Sequence, residues 1–152
     1  KVFFSKTITP EKVLELYKKL ICSIGFSKIV ETDAENHDRM IAFTSQLAHV
    51  VSSSYMKSPS AMSHFGFSAG SFKDMTRVAK LNETMWTELF VENSEYLADE
   101  IDIICQNLKE YSSAIRNKQK DKIFEMLKDG SDRKKAVIES ERRERTNGAC
   151  ES

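Results

Sequence analysis

This 152-residue sequence contains two pairs of polar side chains whose spacing could bring them together in a binding or catalytic site. The first pair is Ser45 and His49, four residues apart in a stretch with helical periodicity, so both lie on one helix face. A hydroxyl and an imidazole can each donate or accept a hydrogen bond, which makes them a candidate ligand-facing pair. The alternative is a buried histidine that is satisfied by a serine and a neighbouring helix. No acidic residue follows on the same stripe to orient His49, which disfavours a Ser/His catalytic pair.

The second pair is Asp74 and Arg77, three residues apart and directly after a segment rich in glycine and serine. An arginine here could present its planar guanidinium to a substrate carboxylate, with Asp74 holding the guanidinium in place. The alternative is an ordinary surface ion pair, which contributes well under ~1 kcal/mol to stability. The spacing alone leaves both interpretations open.

Other kinds of site are disfavoured. His37 and His64 belong to no HxxxH pattern or carboxylate cluster, so we expect no metal site. The sequence contains neither a G-x-G-x-x-G nor a P-loop, so it has no phosphate-cradling loop of its own. Lys and Arg number 23, as do Asp and Glu, and the basic run of the C-terminal third is interleaved with glutamates. This balance predicts a solvated helix face and no nucleic-acid partner.

We expect a cytoplasmic protein without a membrane span. The stretch 40–56 lacks Asp, Glu, Lys and Arg but is too rich in Ser, Thr, Gln and His to cross a bilayer. Cys22, Cys105 and Cys150 are odd in number and form no CxxC pair. That usage favours reduced thiols in a cytosolic protein over a disulfide framework.

The N-terminal pattern predicts a parallel strand–helix–strand unit. A strand over 2–4 is followed by a helix with Pro10 at its first helical position and Gly25 at its end, and then by a strand over 28–31. A two-stranded parallel sheet is marginal by itself. We therefore expect this unit to belong to a larger sheet whose other strands lie upstream.

The rest of the sequence predicts helices, in keeping with only five Gly and two Pro. A capping box from Thr32 to Glu35 opens a helix that extends to about residue 57. At ~100° per residue, one narrow stripe of this helix holds five residues. They are Asp38, Ala42, Ser45, His49 and Ser52.

Shorter helices over 71–80 and 83–92 follow, the second capped by Asn82. A long helix then carries a regular apolar seam. The seam consists of Leu97, Ile101, Ile104, Leu108, Tyr111 and Ile115. A last helical stretch over 119–145 is expected to be interrupted or bent near Gly130.

Two stretches together resemble one family, the prephenate dehydrogenases. The stretch 37–49, HDRMIAFTSQLAH, resembles a helix whose family pattern is HDR, then A, then S-H-L-P-H. The stretch 70–79, GSFKDMTRVA, with Met85-Trp86 and Asn93, resembles the family's G-G-F-R-D-x-T-R-I-A, M-W and N. The likeness extends over about residues 1–118. The sequence departs from the pattern at Gln46, Ala48, Lys73, Glu83 and Thr84.

The resemblance implies an NAD-dependent oxidative decarboxylation of prephenate to 4-hydroxyphenylpyruvate, on the route to tyrosine. It also implies an N-terminal Rossmann domain and a C-terminal, mainly α, helical dimerisation domain of the 6-phosphogluconate-dehydrogenase-like type. Residues 1–32 would then end the nucleotide-binding domain, and 33–152 would form the dimerisation and substrate-binding domain. The NAD loop and the catalytic histidine would lie upstream. We therefore expect the chain alone to be inactive, with no catalytic and no NAD-binding residue of its own.

By the same resemblance, Arg77 would bind a prephenate carboxylate and Asp74 would belong to its ionic network. His49 and Ser45 would line the substrate pocket, and the protein would be a homodimer. Two alternatives stay open: a dehydrogenase acting on arogenate, and a non-enzymatic helical module for dimerisation or tyrosine sensing. A G-x-G-x-x-G upstream would favour an enzyme, and activity on prephenate against arogenate would separate the substrates.

Overall fold

The structure is mainly helical, which confirms the predicted fold class. It is a computed structural model, and it describes residues 2–5, 10–26, 29–67 and 69–147, with side chains outside 2–5 and 144–147. The chain divides into two compact units. We call Glu35–Cys105 the central unit, and the segments Lys1–Ala34 and Gln106–Ser152 together the terminal unit. The division into domains at residues 32 and 33 stays a prediction.

Two strands and seven α-helices follow one another along the described residues. The strands are β1 (Val2–Ser5) and β2 (Ile29–Thr32). The helices are α1 (Glu11–Ser23), α2 (Ala34–Ile41), α3 (Leu47–Met56), α4 (Gly70–Thr76), α5 (Glu83–Glu92), α6 (Ser94–Arg116) and α7 (Lys120–Asn147). A π-helical segment, Ala42–Gln46, connects α2 to α3, and a 3-10 turn spans Pro59–Met62.

The predicted parallel strand–helix–strand unit is confirmed. β1 and β2 pair in parallel, with Val2 opposite Ile29 and the register continuing to the ends of both strands. α1 begins one residue later than predicted, because Pro10 has the extended backbone of an N-cap residue and its carbonyl accepts the first helical N–H groups. Gly25 follows the helix with a φ of +96°, a conformation that glycine adopts without steric cost.

An ion pair connects α1 to β2 in the terminal unit. The Lys18 ammonium lies 2.6 Å from a carboxylate oxygen of Glu31 and 3.1 Å from one of Glu15. Hydrogen bonds to Glu31, and then to Glu15, raise the pKa of Lys18 above its ordinary value.

The cysteines are not all reduced. Cys105 is a free and exposed thiol, whereas Cys22 is disulfide-bonded. The expectation of three reduced thiols is therefore wrong for Cys22, and Cys150 lies outside the described residues.

The segment from α2 to α3 differs from the uninterrupted α-helix that we predicted. The backbone N–H of Leu47 donates to the carbonyl of Ala42, five residues earlier, so Ala42–Gln46 forms a π-turn. One extra residue in this turn shifts later side chains by ~100° relative to earlier ones. Around the helix axis, the side chains of Asp38 and His49 are then ~80° apart, whereas in an uninterrupted α-helix they would be nearly aligned. The expected single stripe is therefore wrong for Asp38, whose side chain is exposed beside His37.

The core of the central unit is small and apolar. Ala42, Leu47 and Leu97 are buried at its centre. Partly buried side chains surround them: Val50, Val51, Phe90, Tyr96, Ile101 and Ile104. The predicted seam of α6 is therefore divided. Its first three residues pack into this core, while Leu108 and Ile115 are each 59% exposed in the terminal unit.

α6 and α7 are separated by a tight turn. Lys118 has a positive φ of 52°, and the Gln119 N–H donates to the carbonyl of Ala114, the pattern of a Schellman motif. α7 then continues through Gly130 without interruption, contrary to the expectation. A single glycine costs a helix only about 1 kcal/mol, and the ion pairs Asp129–Arg133 and Glu139–Arg143 have helical spacing. None of the helices in the described residues is long and apolar enough to cross a membrane.

Candidate functional site

His49 makes two contacts that fix its ring. It is half-buried on α3, and its Nδ1 lies 3.1 Å from the backbone oxygen of Val78. Its ring centroid lies 3.9 Å from that of Trp86, with the planes tilted by 49°. Because a carbonyl only accepts, Nδ1 carries the proton and donates. In the neutral ring, Nε2 is then the lone-pair nitrogen, the atom left for a ligand.

Ser45 is half-buried on the π-turn. Across the described part of the chain, no hydrogen bond joins its hydroxyl to His49. The two residues are therefore not a hydrogen-bonded pair. The partner that satisfies the histidine is the carbonyl of Val78, and no serine takes part.

Asp74 and Arg77 lie at the end of α4, and both side chains are exposed. Within residues 69–147 and the other described segments, no ion pair joins them. Asp74 is therefore close to Arg77 in sequence, but its carboxylate does not hold the Arg77 guanidinium in place. Arg77 directly precedes Val78, so the backbone that binds His49 also carries this cation. An unpaired guanidinium is available to a carboxylate.

Trp86 contacts His49 and also lines a cavity of about 270 Å³ in the central unit. Asn82 caps the helix that carries it, as predicted, by accepting the N–H of Met85 at 3.0 Å. The indole also packs against Phe90, with ring centroids 5.4 Å apart. The remaining lining residues are Ser53, Ala79, Leu81, Glu83 and Thr87. Trp86 is thus half-buried at the wall of this cavity.

A second cavity, of about 310 Å³, lies where the segment after α3 approaches the start of α4. His64 is fixed there by a 2.7 Å hydrogen bond from its Nδ1 to the carbonyl of Ala61. Its ring stacks on Phe72 at 4.2 Å between centroids. The other lining residues are Tyr55, Ser58, Ser60, Phe67, Ala69 and Ser71. Aromatic rings and hydroxyls therefore make up most of this wall.

Sequence reasoning missed the most deeply buried polar contact of the central unit. Gln46 is only 4% exposed, and its Nε2 donates to the backbone carbonyl of Leu89 at 3.0 Å. Its Oε1 accepts from Nδ2 of Asn93 at 2.8 Å. The signal was present, because the one amide side chain in the charge-free stretch 40–56 needs partners if it is buried. The sequence did not say which residues those partners would be.

The described residues contain no group of three or more His, Cys, Asp or Glu side chains placed to hold a metal ion. The chemistry of the site thus belongs to His49, Arg77 and their neighbours. His49 offers an imidazole nitrogen and Trp86 an indole face, and Arg77 adds a cation next to Val78 in the sequence. Such a set suits a small anionic ligand that carries a ring.

The family model described as "Prephenate dehydrogenase, dimerization domain" matches residues 33–129. The chain belongs to this family. The resemblance carried by the two sequence stretches is confirmed, and the match contains Ser45, His49, Asp74 and Arg77.

Relatives and a solved structure agree with the family match. The chain is 35% identical over 103 residues to a cyclohexadienyl dehydrogenase of Zymomonas mobilis, covering 63% of this chain and 35% of that protein. It is 25% identical over 142 residues to a prephenate dehydrogenase of Lactococcus lactis, covering 89% of this chain and 38% of that protein. It therefore spans little more than a third of the length of either relative.

The structural comparison gives the same result. The crystal structure of prephenate dehydrogenase from A. aeolicus, in complex with hydroxyphenyl propionate and NAD+, superimposes with a TM-score of 0.72 and 26% identity. The match covers 89% of this chain and 49% of that chain. The helical fold of this chain is thus the fold of the matching part of that enzyme.

Proposed function

We propose that this chain is the C-terminal part of a prephenate dehydrogenase, an oxidoreductase that converts prephenate and NAD to 4-hydroxyphenylpyruvate, carbon dioxide and NADH. The family match and the named activities of the relatives support this proposal. The observation that carries it is that Nδ1 of His49 binds the carbonyl of Val78, the residue that follows an Arg77 with no ion pair among the described residues. Prephenate carries two carboxylates, which such a cation binds.

The residues of this chain do not fit NAD itself. The glycines are at 25, 66, 70, 130 and 148, and none has the spacing of a dinucleotide loop. The helix of the strand–helix–strand unit begins with Glu11, whose carboxylate would repel a pyrophosphate. The NAD site is therefore assigned to residues upstream of this chain, and the NAD+ held by the A. aeolicus enzyme supports that cofactor.

The contribution of this chain is to bind and orient the acid. The guanidinium of Arg77 forms two parallel hydrogen bonds to a carboxylate. His49 offers Nε2 to a hydroxyl or, when protonated, to a second carboxylate oxygen. The Trp86 ring, already packed on His49, gives the substrate ring an apolar wall and keeps water from the imidazole. Ser45 and Asp74 belong to the rim of this substrate site.

The full protein is proposed to be a homodimer. The matched domain is described as a dimerization domain, and apolar side chains of α6 and α7 in the terminal unit are exposed. They include Leu108, Ile115, Phe124 and Leu127. An interface that covers them would be of obligate type, above ~2,000 Å² in total. A cytoplasmic location fits an enzyme of this pathway.

The decisive test uses the full-length protein with NAD and either prephenate or arogenate, followed by nicotinamide absorbance. We expect NAD reduction that depends on prephenate, and a preference for arogenate would change the substrate and keep the reaction class. The 152-residue chain alone should show no turnover and no heat of NAD binding by calorimetry. Micromolar NAD affinity in that chain would contradict the assignment of the cofactor site.

A further inference from the structure

We infer that Gln46 and Asn93 are positioning residues for His49, holding the π-turn so that the imidazole is aimed at Val78 and its Nε2 at the substrate. This inference rests on the proposed function for its activity readout. Neither residue is required to touch the substrate. Their effect passes through the helical segment that carries His49.

Two side chains donate hydrogen bonds to backbone carbonyls of α2, just before the π-turn. The hydroxyl of Thr44 donates to the carbonyl of Met40 at 2.6 Å. Nδ2 of Asn93 donates to the carbonyl of Asp38 at 2.9 Å. The same Nδ2 also donates to Oε1 of Gln46, so Asn93 connects the backbone before the π-turn to the last residue of that turn.

Gln46 attaches the same turn to the end of α5. The carbonyl of Leu89 lies in the last turn of that helix. Nε2 of Gln46 donates to it, and Oε1 of Gln46 accepts from the amide of Asn93. One buried glutamine thus contacts the end of α5 and orients the asparagine that binds α2. Leaving the buried amide of Gln46 unpaired would be costly.

The hydrogen bonds of Gln46 and Asn93 affect His49 because they fix the direction in which later side chains leave the helix axis. Gln46 is the last residue of the π-turn, and His49 follows it by less than one helical turn. If the π-turn relaxed to an α-helical turn, His49 would rotate by ~100° relative to α2. It would then lose its hydrogen bond to the carbonyl of Val78 and its ring contact with Trp86, because both partners lie outside α3.

The test replaces Gln46 by methionine, which has a similar length and volume but cannot make these hydrogen bonds. In the full-length protein, Gln46→Met should raise KM for prephenate about tenfold, the scale of one lost hydrogen bond to a charged group, and leave KM for NAD unchanged. The matched control is Gln106→Met, because Gln106 makes an exposed hydrogen bond to Glu110 on α6. The control variant should leave KM for prephenate and KM for NAD unchanged.

A double-mutant cycle separates positioning from general destabilisation. In a His49→Ala background, Gln46→Met should change KM less than twofold, because the residue that it positions is already gone. A full tenfold effect in that background would overturn the inference. If the Gln46→Met variant does not fold, the variant Asn93→Asp is used instead. Aspartate keeps the shape of Asn93 and removes the Nδ2 donor. Asn93→Asp should also raise KM for prephenate, and an unchanged KM would contradict the positioning role.

A spectroscopic readout is independent of turnover. With ¹⁵N-labelled histidine in the full-length protein, His49 should show the tautomer protonated at Nδ1, and Gln46→Met should shift it toward the other tautomer. An absence of prephenate oxidation in the wild-type protein would contradict the proposed function and leave this readout intact. An unchanged tautomer in Gln46→Met would contradict the positioning role.

Discussion

The central and terminal units are stabilised in different ways. The central unit surrounds an apolar core, and several of its polar contacts, such as Gln46 with Leu89, join residues far apart in sequence. In the terminal unit, most ion pairs join residues three or four apart on a single helix. One face of α1 there is 41–69% exposed although its residues are apolar. That face consists of Val13, Leu16, Tyr17, Leu20 and Ile24.

This difference shows where each unit obtains its stability. The central unit buries its own apolar residues and positions the site, so we expect mutations there to act on folding and binding. The terminal unit presents apolar surfaces of the kind that mark association sites. We expect mutations there to act on assembly. The predictions below contrast the two units.

The largest expected effect is on the stability of the central core. Leu97 is 4% exposed and packs with Ala42 and Leu47, so Leu97→Ala should lower the free energy of unfolding by about 2–5 kcal/mol. Leu108 lies on the same helix but is exposed. Leu108→Ala should lower the free energy of unfolding less than Leu97→Ala and should shift the proposed dimer toward monomer in sedimentation. If the protein were monomeric and Leu97→Ala and Leu108→Ala lowered the free energy of unfolding equally, the proposed difference between the two units would be wrong.

The next effect is on substrate binding. Arg77→Ala in the full-length protein should raise KM for prephenate by ~30- to 1000-fold, equivalent to about 2–4 kcal/mol, because a bidentate charged contact is lost. Arg77→Lys should restore little, since an ammonium lacks the planar fork. Arg133→Ala is the matched control, because Arg133 pairs only with Asp129 on α7 among the described contacts. An unchanged KM in Arg77→Ala would make Arg77 a plain surface residue.

The smallest expected effect concerns an ion pair of the terminal unit. The carboxylates of Glu31 and Glu15 raise the pKa of Lys18, so its stabilising contribution is complete below the unfolded-state pKa and disappears as pH rises through the folded-state pKa. Lys18→Met should therefore reduce the loss of stability seen in alkaline denaturation above about pH 10. Lys19→Met, at an exposed neighbour, should leave that profile unchanged. Identical alkaline profiles in Lys18→Met and wild type would contradict a role for this pair.

Local patterns in the sequence were enough to predict the elements. The parallel pairing of β1 and β2, the cap at Asn82 and the existence of every α-helix follow from apolar spacing and from turn residues. Those signals act within a few residues, so a single sequence carries them. Gly130 misled the prediction because helix propensity is a weak preference that the surrounding residues of α7 override.

The candidate site was only partly predictable. Spacing and resemblance selected His49 and Arg77, but they placed Asp38 on the His49 stripe because a constant 100° step was assumed. The π-turn breaks that assumption, and the contacts that maintain it come from Asn93 and Leu89. Contacts between residues 43–55 apart are set by tertiary packing. No periodicity within one helix can reveal them.

The π-turn also determines how this helical segment can vary in length. It contains one residue more than the α-helical turn that it replaces. Deleting one residue within Ala42–Gln46 would let the segment close as a continuous α-helix, with its helical content kept. The same deletion would rotate α3 against α2 and remove His49 from Val78. A change in length at this point would therefore be almost invisible to circular dichroism, whereas the site would lose its geometry.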